Sequence, residues 1–174
     1  MPQLSLHSPV GDLTVSEEAG SIVAVDWGWG RDQTETPLLL RTRDMLQAYF
    51  DGDPTDFDLP LSPNGTVYRR AVWTALRTIP SGQTKTYGQL ATLVGGSARS
   101  IGGAMASNPI PILIPCHRIV AGGYAPPGAS NGRSDRSLGG FSGGDGAETK
   151  LFLLALERRA ALPAPPLQTI LELT

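Results

Sequence analysis

The chain has 174 residues, of which 40% are hydrophobic and 17% charged, with a net charge of −2 and a mean hydropathy of −0.07, a globular composition with room for one domain or one plus a small appended one. No apolar stretch approaches membrane length and the amino terminus lacks a basic start with an apolar core, which argues against a spanning helix and leads us to expect a cytoplasmic protein. One cysteine permits no internal disulfide, and with two histidines it cannot assemble a structural zinc set, so neither metal nor cofactor is expected.

Residues 3 to 29 alternate in the manner of strands, with Leu4, Leu6, Leu13, Val15, Ile22, Val23, Val25 and Trp27 interrupted by turn signals at residues 9–12 and 18–20. A small antiparallel sheet is expected. Pro37 to Phe50 then places Leu38, Leu39, Thr42, Met45, Leu46, Tyr49 and Phe50 at helical spacing, and Asp51-Gly52-Asp53-Pro54 stops the helix. Phe57, Leu59 and Leu61 suggest one more short strand before the turn-rich Ser62-Pro63-Asn64-Gly65. None of these residues looks chemical.

From Val67 the pattern turns helical, with Val72, Ala75, Leu76 and Ile79 on one face and Pro80-Ser81-Gly82 as the stop. Thr86 and Gln89 have capping-box spacing and open a second helix, whose Tyr87, Leu90, Ala91 and Val94 share a face. After Gly95-Gly96, Ser97 can cap a third helix over Ala98 to Ser107, and the three pieces have the compass of a helix-turn-helix or of a plain helical hairpin. The third helix contains Gly102 and Gly103, each costing about 1 kcal/mol against alanine in a helix interior. With Ile101, Ala104 and Met105 inward, Arg99, Gly102, Gly103 and Ala106 form a nearly bare outer surface, suited either to a groove wall or to close packing on another helix.

The expected fold class is therefore α+β in two domains: a small antiparallel sheet plus helix over residues 1–63, and a mostly helical part with a helix-turn-helix over residues 64–174. Charge divides the same way. Residues 1–65 carry 3 basic and 11 acidic side chains, net −8, whereas residues 66–174 carry 11 basic and 5 acidic, net +6. A basic module suits a polyanion such as nucleic acid.

Asn108-Pro109 ends the third helix, and Asn108 is placed to fasten the next segment through side-chain bonds to backbone. That segment, Ile112 to Val120, reads as a buried extended run broken by Pro115, and it carries Cys116 beside His117 and Arg118. A long Gly/Ser/Pro/Ala loop follows from Ala121 to Gly146, with Arg133, Asp135 and Arg136 inside it, and we expect it to cover or widen a pocket. Thr149 to Arg159 closes the chain as a helix, with Leu151, Phe152, Leu154 and Ala155 apolar and Glu157 near its end. The tail after Pro163 is weakly specified.

Taken together, Ile79-Pro80-Ser81-Gly82-Gln83-Thr84, Thr86-Tyr87-Gly88, Arg99-Ser100-Ile101-Gly102, Asn108-Pro109, Ile114-Pro115-Cys116-His117-Arg118-Ile119-Val120 and Gly140-Phe141-Ser142-Gly143-Gly144 resemble the O6-alkylguanine-DNA alkyltransferase family. The family commonly has Arg-Ala-Val-Gly where this chain has Arg99-Ser100-Ile101-Gly102, and its interval between His117 and Ser142 is shorter. The resemblance implies a monomer that binds duplex DNA containing O6-alkylguanine and moves the alkyl group irreversibly onto Cys116. It implies that His117 takes the thiol proton through a water, that Glu157 orients the imidazole, and that Tyr87 protonates the leaving base with electrostatic help from Lys150. Arg99 would fill the space of a flipped nucleotide, and the carbonyls of Cys116 and Ile119 and the N–H of Ser142 would hold the base. The chemistry is consistent: displacement at saturated carbon favours a soft thiolate, and the thioether product is not readily cleared. Cys116, His117 and Glu157 also admit a cysteine hydrolase, and the helix-turn-helix admits a non-catalytic binder of alkylated DNA.

Overall fold

The computed structural model describes residues 1–53, 56–126 and 138–162. Strands β1 (Gln3–Leu6), β2 (Leu13–Glu18) and β3 (Ser21–Trp27) form an antiparallel sheet in that order. Its register pairs Leu4 with Val15 and Val15 with Val25, so the expected apolar alternation becomes one buried face. Helix α1 (Pro37–Phe50) lies against this face through Leu39, Thr42, Leu46 and Tyr49, and Thr36 caps it by accepting the Leu39 N–H at 3.1 Å.

The strand expected at Phe57 to Leu61 does not form. Leu61 makes a single bridge to Ile22, and Pro60, which has no N–H to donate, interrupts any ladder. Phe57 and Leu59 still pack into the core, so their alternation reports burial without pairing.

Helix α2 (Val67–Leu76) buries Val72, Trp73 and Leu76; it ends before Ile79, which is buried from the turn that follows. The two-residue strand β4 (Lys85–Thr86) leads into α3 (Tyr87–Val94), where Thr86 and Gln89 form the expected capping box. Gly95 and Gly96 both have positive φ, a backbone that residues with a Cβ rarely adopt, and they turn the chain sharply into α4 (Ala98–Ala106). A Cβ added to Gly102 or Gly103 would meet nothing within 4 Å, so the small residues of α4 serve an open surface rather than a helix contact.

The run from Ile112 to Val120 is not extended, contrary to expectation. Ile112 has φ of 72°, costly for a β-branched residue, and the chain folds back there so that the Ile114 N–H reaches the Ile110 carbonyl at 2.9 Å. Cys116–Arg118 is a 3-10 turn, and only β5 (Ile119–Val120) is a strand, pairing in parallel with β4. The final helix, α5 (Ala147–Ala161), starts earlier than expected and buries Thr149, Lys150, Leu153, Leu154 and Glu157, leaving Phe152 exposed.

One continuous core runs from Leu4 on β1 to Leu153 on α5 and includes Cys116. Trp27 of β3 reaches across it, its ring edge-on to Phe141 at 6.3 Å between centroids. A Cβ on Gly143 would lie 2.4 Å from the Trp27 ring. Gly143→Ala should therefore cost about 1–3 kcal/mol by overpacking, and Trp27→Ala in the same chain should recover part of the loss; urea denaturation of the two single variants and the double variant checks this.

Candidate active site

The position of Cys116 is fixed from behind by Asn108. This side chain accepts the Ile110 N–H at 3.0 Å and donates Nδ2 to the Ile114 carbonyl at 2.9 Å, spanning the turn that precedes the cysteine. The fastening expected of Asn108 is thus present, and the same side chain also stabilises charge on the Cys116 sulfur. The thiol sits at the base of a pocket of about 400 Å³ lined by Tyr87, Gly102, Met105, Ala106, Cys116, Gly140, Phe141 and Ser142. Such a volume accepts a flat heterocycle of nucleobase size.

Burial pushes the Cys116 thiol above its ordinary pKa, and Asn108, the charge of Lys150 and the backbone N–H groups of Cys116 and His117 only partly offset it. The resting sulfur is therefore a thiol at neutral pH and needs a base. His117 follows directly, but in a 3-10 turn successive side chains point about 120° apart, which explains why it bonds away from the sulfur. Its Nε2 lies 2.6 Å from Glu157 Oε1, while Nδ1 is buried with no protein partner among the described residues.

Glu157 is 1% exposed, far from the solvated charge its sequence position alone suggests. Arg118 holds it with two bonds, Nε to Oε2 at 2.9 Å and a terminal nitrogen to Oε1 at 2.8 Å, while its other terminal nitrogen donates to the Ile79 carbonyl at 2.7 Å. Burial opposes the charged carboxylate, but His117 and Arg118 outweigh it and hold Glu157 well below the usual carboxylate range. The Tyr49 hydroxyl, from α1, donates to the same Oε1 at 2.8 Å.

Lys150 is fully buried, and Nζ donates to the carbonyls of Ile119 at 2.6 Å and Gly140 at 3.2 Å. Burial lowers its pKa from 10.5 to about 8, with the nearby cysteine pulling the other way. Tyr87 is raised above its ordinary value by burial, against a hydrogen bond from the Gly140 backbone. Gly140 thus touches both side chains through its two flanking peptide groups: its carbonyl takes the lysine and its N–H serves the phenol. The carbonyls of Cys116 and Ile119 each have a partner already, the Ile119 N–H and Lys150, which leaves each one further lone pair.

Of the residues expected from sequence, Cys116, Tyr87, Gly102, Ala106 and Ser142 meet in the pocket, and Asn108, His117, Ile119, Lys150 and Glu157 support it from behind. Arg99 and Gly103 do not line it; both are exposed on α4. Sequence reasoning gave Arg118 no role and read Tyr49 and Trp27 only as apolar-face positions. The one available signal was the adjacency of Arg118 to His117, since Tyr49 and Glu157 are 108 residues apart. Residues 127–137 of the long loop, including Arg133, Asp135 and Arg136, lie outside the described residues.

Residues 67–159 match the family described as 6-O-methylguanine DNA methyltransferase, DNA binding domain, and residues 4–63 match its ribonuclease-like domain. A methylated-DNA–protein-cysteine methyltransferase of Haemophilus influenzae is 39% identical over 163 residues, spanning 87% of this chain and 83% of that protein. One from Mycobacterium tuberculosis is 42% identical over 171 residues, spanning 90% and 92%. The solved structure of Mycobacterium tuberculosis OGT in complex with DNA superposes with a TM-score of 0.74 at 33% identity, covering 98% of this chain and 99% of that one. A methyltransferase from Pyrococcus kodakaraensis, at 20% identity and a TM-score of 0.51, shares the fold. This chain belongs to the methylated-DNA–protein-cysteine methyltransferase family, the O6-alkylguanine-DNA alkyltransferases.

Proposed function

We propose that Cys116 is the atom-accepting residue through which this DNA-repair methyltransferase clears O6-alkylguanine from duplex DNA. The observation that carries the assignment is a buried thiol at the base of a base-sized pocket, beside an imidazole anchored on one nitrogen and free on the other. His117 Nδ1 takes the thiol proton through a water, and Glu157 and Arg118 hold the ring in the orientation this requires. The sulfur forms a bond to the alkyl carbon as the bond from that carbon to O6 breaks, and the electron pair goes to the base. Tyr87 supplies the proton that leaves guanine neutral, with the charge of Lys150 assisting the phenol electrostatically. The product thioether has no route back, so each chain acts once.

Base recognition follows from the same pocket. The remaining lone pairs on the Cys116 and Ile119 carbonyls accept the guanine amino group, and the Ser142 N–H faces O6. The open face of α4 lets DNA backbone approach over Gly102, Gly103 and Ala106, while Arg99 enters the stack in place of the flipped nucleotide. This reading divides the chain at residues 63 and 64, with the acidic first part behind and the basic second part toward DNA; the two family matches, at 4–63 and 67–159, support that division. It also treats the protein as cytoplasmic and monomeric, the first supported by a free cysteine that must stay reduced. No described helix is long and apolar enough to cross a membrane.

Incubation with excess duplex carrying labelled O6-methylguanine should place at most one label per chain, on Cys116, and none on Cys116→Ser. Release of label by water over many turnovers would identify a hydrolase instead, and binding without label a non-catalytic reader. Arg99→Ala should slow transfer from duplex DNA by about tenfold, equivalent to about 1.4 kcal/mol, and slow transfer from the free alkylated base less. Equal effects on both would remove Arg99 from nucleotide extrusion.

Lys150 yields a stability prediction with a defined sign. Its folded pKa is lowered, so between about 8 and 10.5 the unfolded chain binds more protons and the native state gains stability as pH rises. Relative to Lys150→Met, the wild type should gain on the order of 1–2 kcal/mol between neutral pH and the upper part of that window. Denaturant titrations of both proteins at the two pH values measure the difference, and parallel stabilities would show that Lys150 keeps its ordinary pKa.

A further inference from the structure

Tyr49 is the only residue from the amino-terminal sheet-and-helix part, among the described hydrogen bonds, that reaches the Glu157 carboxylate. Both groups are buried, Tyr49 at 2% and Glu157 at 1% exposure, so the bond is not shared with solvent. Burial is the largest cause holding the phenol well above its ordinary pKa, with Glu157 adding to it, so Tyr49 remains a donor at any pH the protein meets. Arg118 already neutralises the carboxylate with two bonds, and holding Glu157 charged does not require a tyrosine. What distinguishes Tyr49 is which oxygen it chooses. Oε1 receives Tyr49 at 2.8 Å, Arg118 at 2.8 Å and His117 Nε2 at 2.6 Å, whereas Oε2 receives Arg118 alone.

We propose that Tyr49 is a positioning residue for alkyl transfer, which tunes the basicity of His117 by competing for the one carboxylate oxygen that the imidazole uses. The inference rests on the reading of His117 as the proton acceptor for Cys116. Two in-plane lone pairs serve three donors at Oε1, so each donor withdraws charge from the others. Without the phenol, Oε1 attracts the imidazole proton more strongly, the protonated ring is favoured, and a higher pH is needed before His117 can accept a proton. Among the described residues, the other ionisable groups around this cluster are Cys116 on the same turn, Lys150 on α5 whose charge acts on Cys116, Tyr124 and Arg158 on the far side of Glu157, and Asp56 and Arg77 beside Arg118. None of them is removed by a change at Tyr49. The amino-terminal part would thus take part in the chemistry through a single hydroxyl.

Tyr49→Phe keeps the ring and deletes the bond. The acid limb of the transfer rate against pH should move up by about half a unit, a roughly threefold loss of rate on that side. Because the chain has two histidines, isotope-labelled imidazole signals can be assigned directly: those of His117 should shift and titrate higher, while exposed His7 serves as an internal control. Should Tyr49→Phe fail to fold, wild-type protein made with tyrosine fluorinated beside the hydroxyl supplies a stronger donor, and the His117 signal should move the opposite way. A lowered melting temperature with an unmoved acid limb and unmoved His117 signals would overturn the proposal and leave Tyr49 as a purely structural contact. His117→Asn separates the two layers: if it transfers alkyl groups at the wild-type rate, the His117 reading itself fails, whereas slow transfer with an inert Tyr49→Phe removes only the role of Tyr49.

Discussion

The carboxylate of Glu157 is the constraint on which the site depends. An ionised carboxylate without partners would not be retained at 1% exposure, because the desolvation cost would drive it neutral. Here four donated bonds keep it charged, and those bonds reach α1, the 3-10 turn and α5, elements far apart in sequence. The imidazole is therefore oriented by an anion that cannot rotate. Arg118 is as necessary to this as His117, for its guanidinium forks onto both oxygens and a third bond to the Ile79 carbonyl locks its own plane. Removing Arg118 would leave the buried carboxylate uncompensated.

The same economy governs Cys116. A buried thiol is a poor resting nucleophile, and the protein does not correct this by a permanently lowered pKa. A standing thiolate would be open to oxidation and to any adventitious electrophile, and a protein that acts once loses its function with the first misdirected reaction. Holding the sulfur protonated until a base fills the pocket restricts that loss. The strained Ile112 turn, Asn108 and the buried Lys150 are all costs borne by the fold so that sulfur, phenol and carbonyls meet around one cavity.

Much of this was legible in sequence because it is local. The Thr86 and Ser97 caps, the α1 boundaries, the alternation of the sheet and the Asn108 fastening each rest on residues a few positions apart. The Phe57 to Leu61 strand failed because alternation records which side chains are buried, and pairing also needs a donor that Pro60 lacks. The Ile112 to Val120 run misled for a related reason: continuous apolarity fits a buried strand and a buried turn equally well, and a positive φ at isoleucine leaves no mark in composition. Tyr49 and Trp27 were illegible as partners because their contacts, with Glu157 and Gly143, span more than 100 residues, and Glu157 entered through the family resemblance rather than through any local pattern.

Charge segregation also changes its meaning once positions are known. Of the 11 basic residues after residue 65, Arg118 and Lys150 are buried and satisfied inside the protein, so they contribute nothing to a phosphate-binding surface. Arg69, Arg70, Arg77 and Arg99 are exposed, and Arg99 sits on the helix whose glycine face is open. Two kinds of cation thus share one stretch of sequence: interior ones bonded within the protein, and exterior ones open to solvent and to whatever anion approaches. Because the exterior group is screened by salt and the interior group is not, ionic strength should act on encounter with DNA while leaving the proton inventory of the pocket intact. Substrate capture and bond making are therefore separable in this protein even though their residues alternate along the chain.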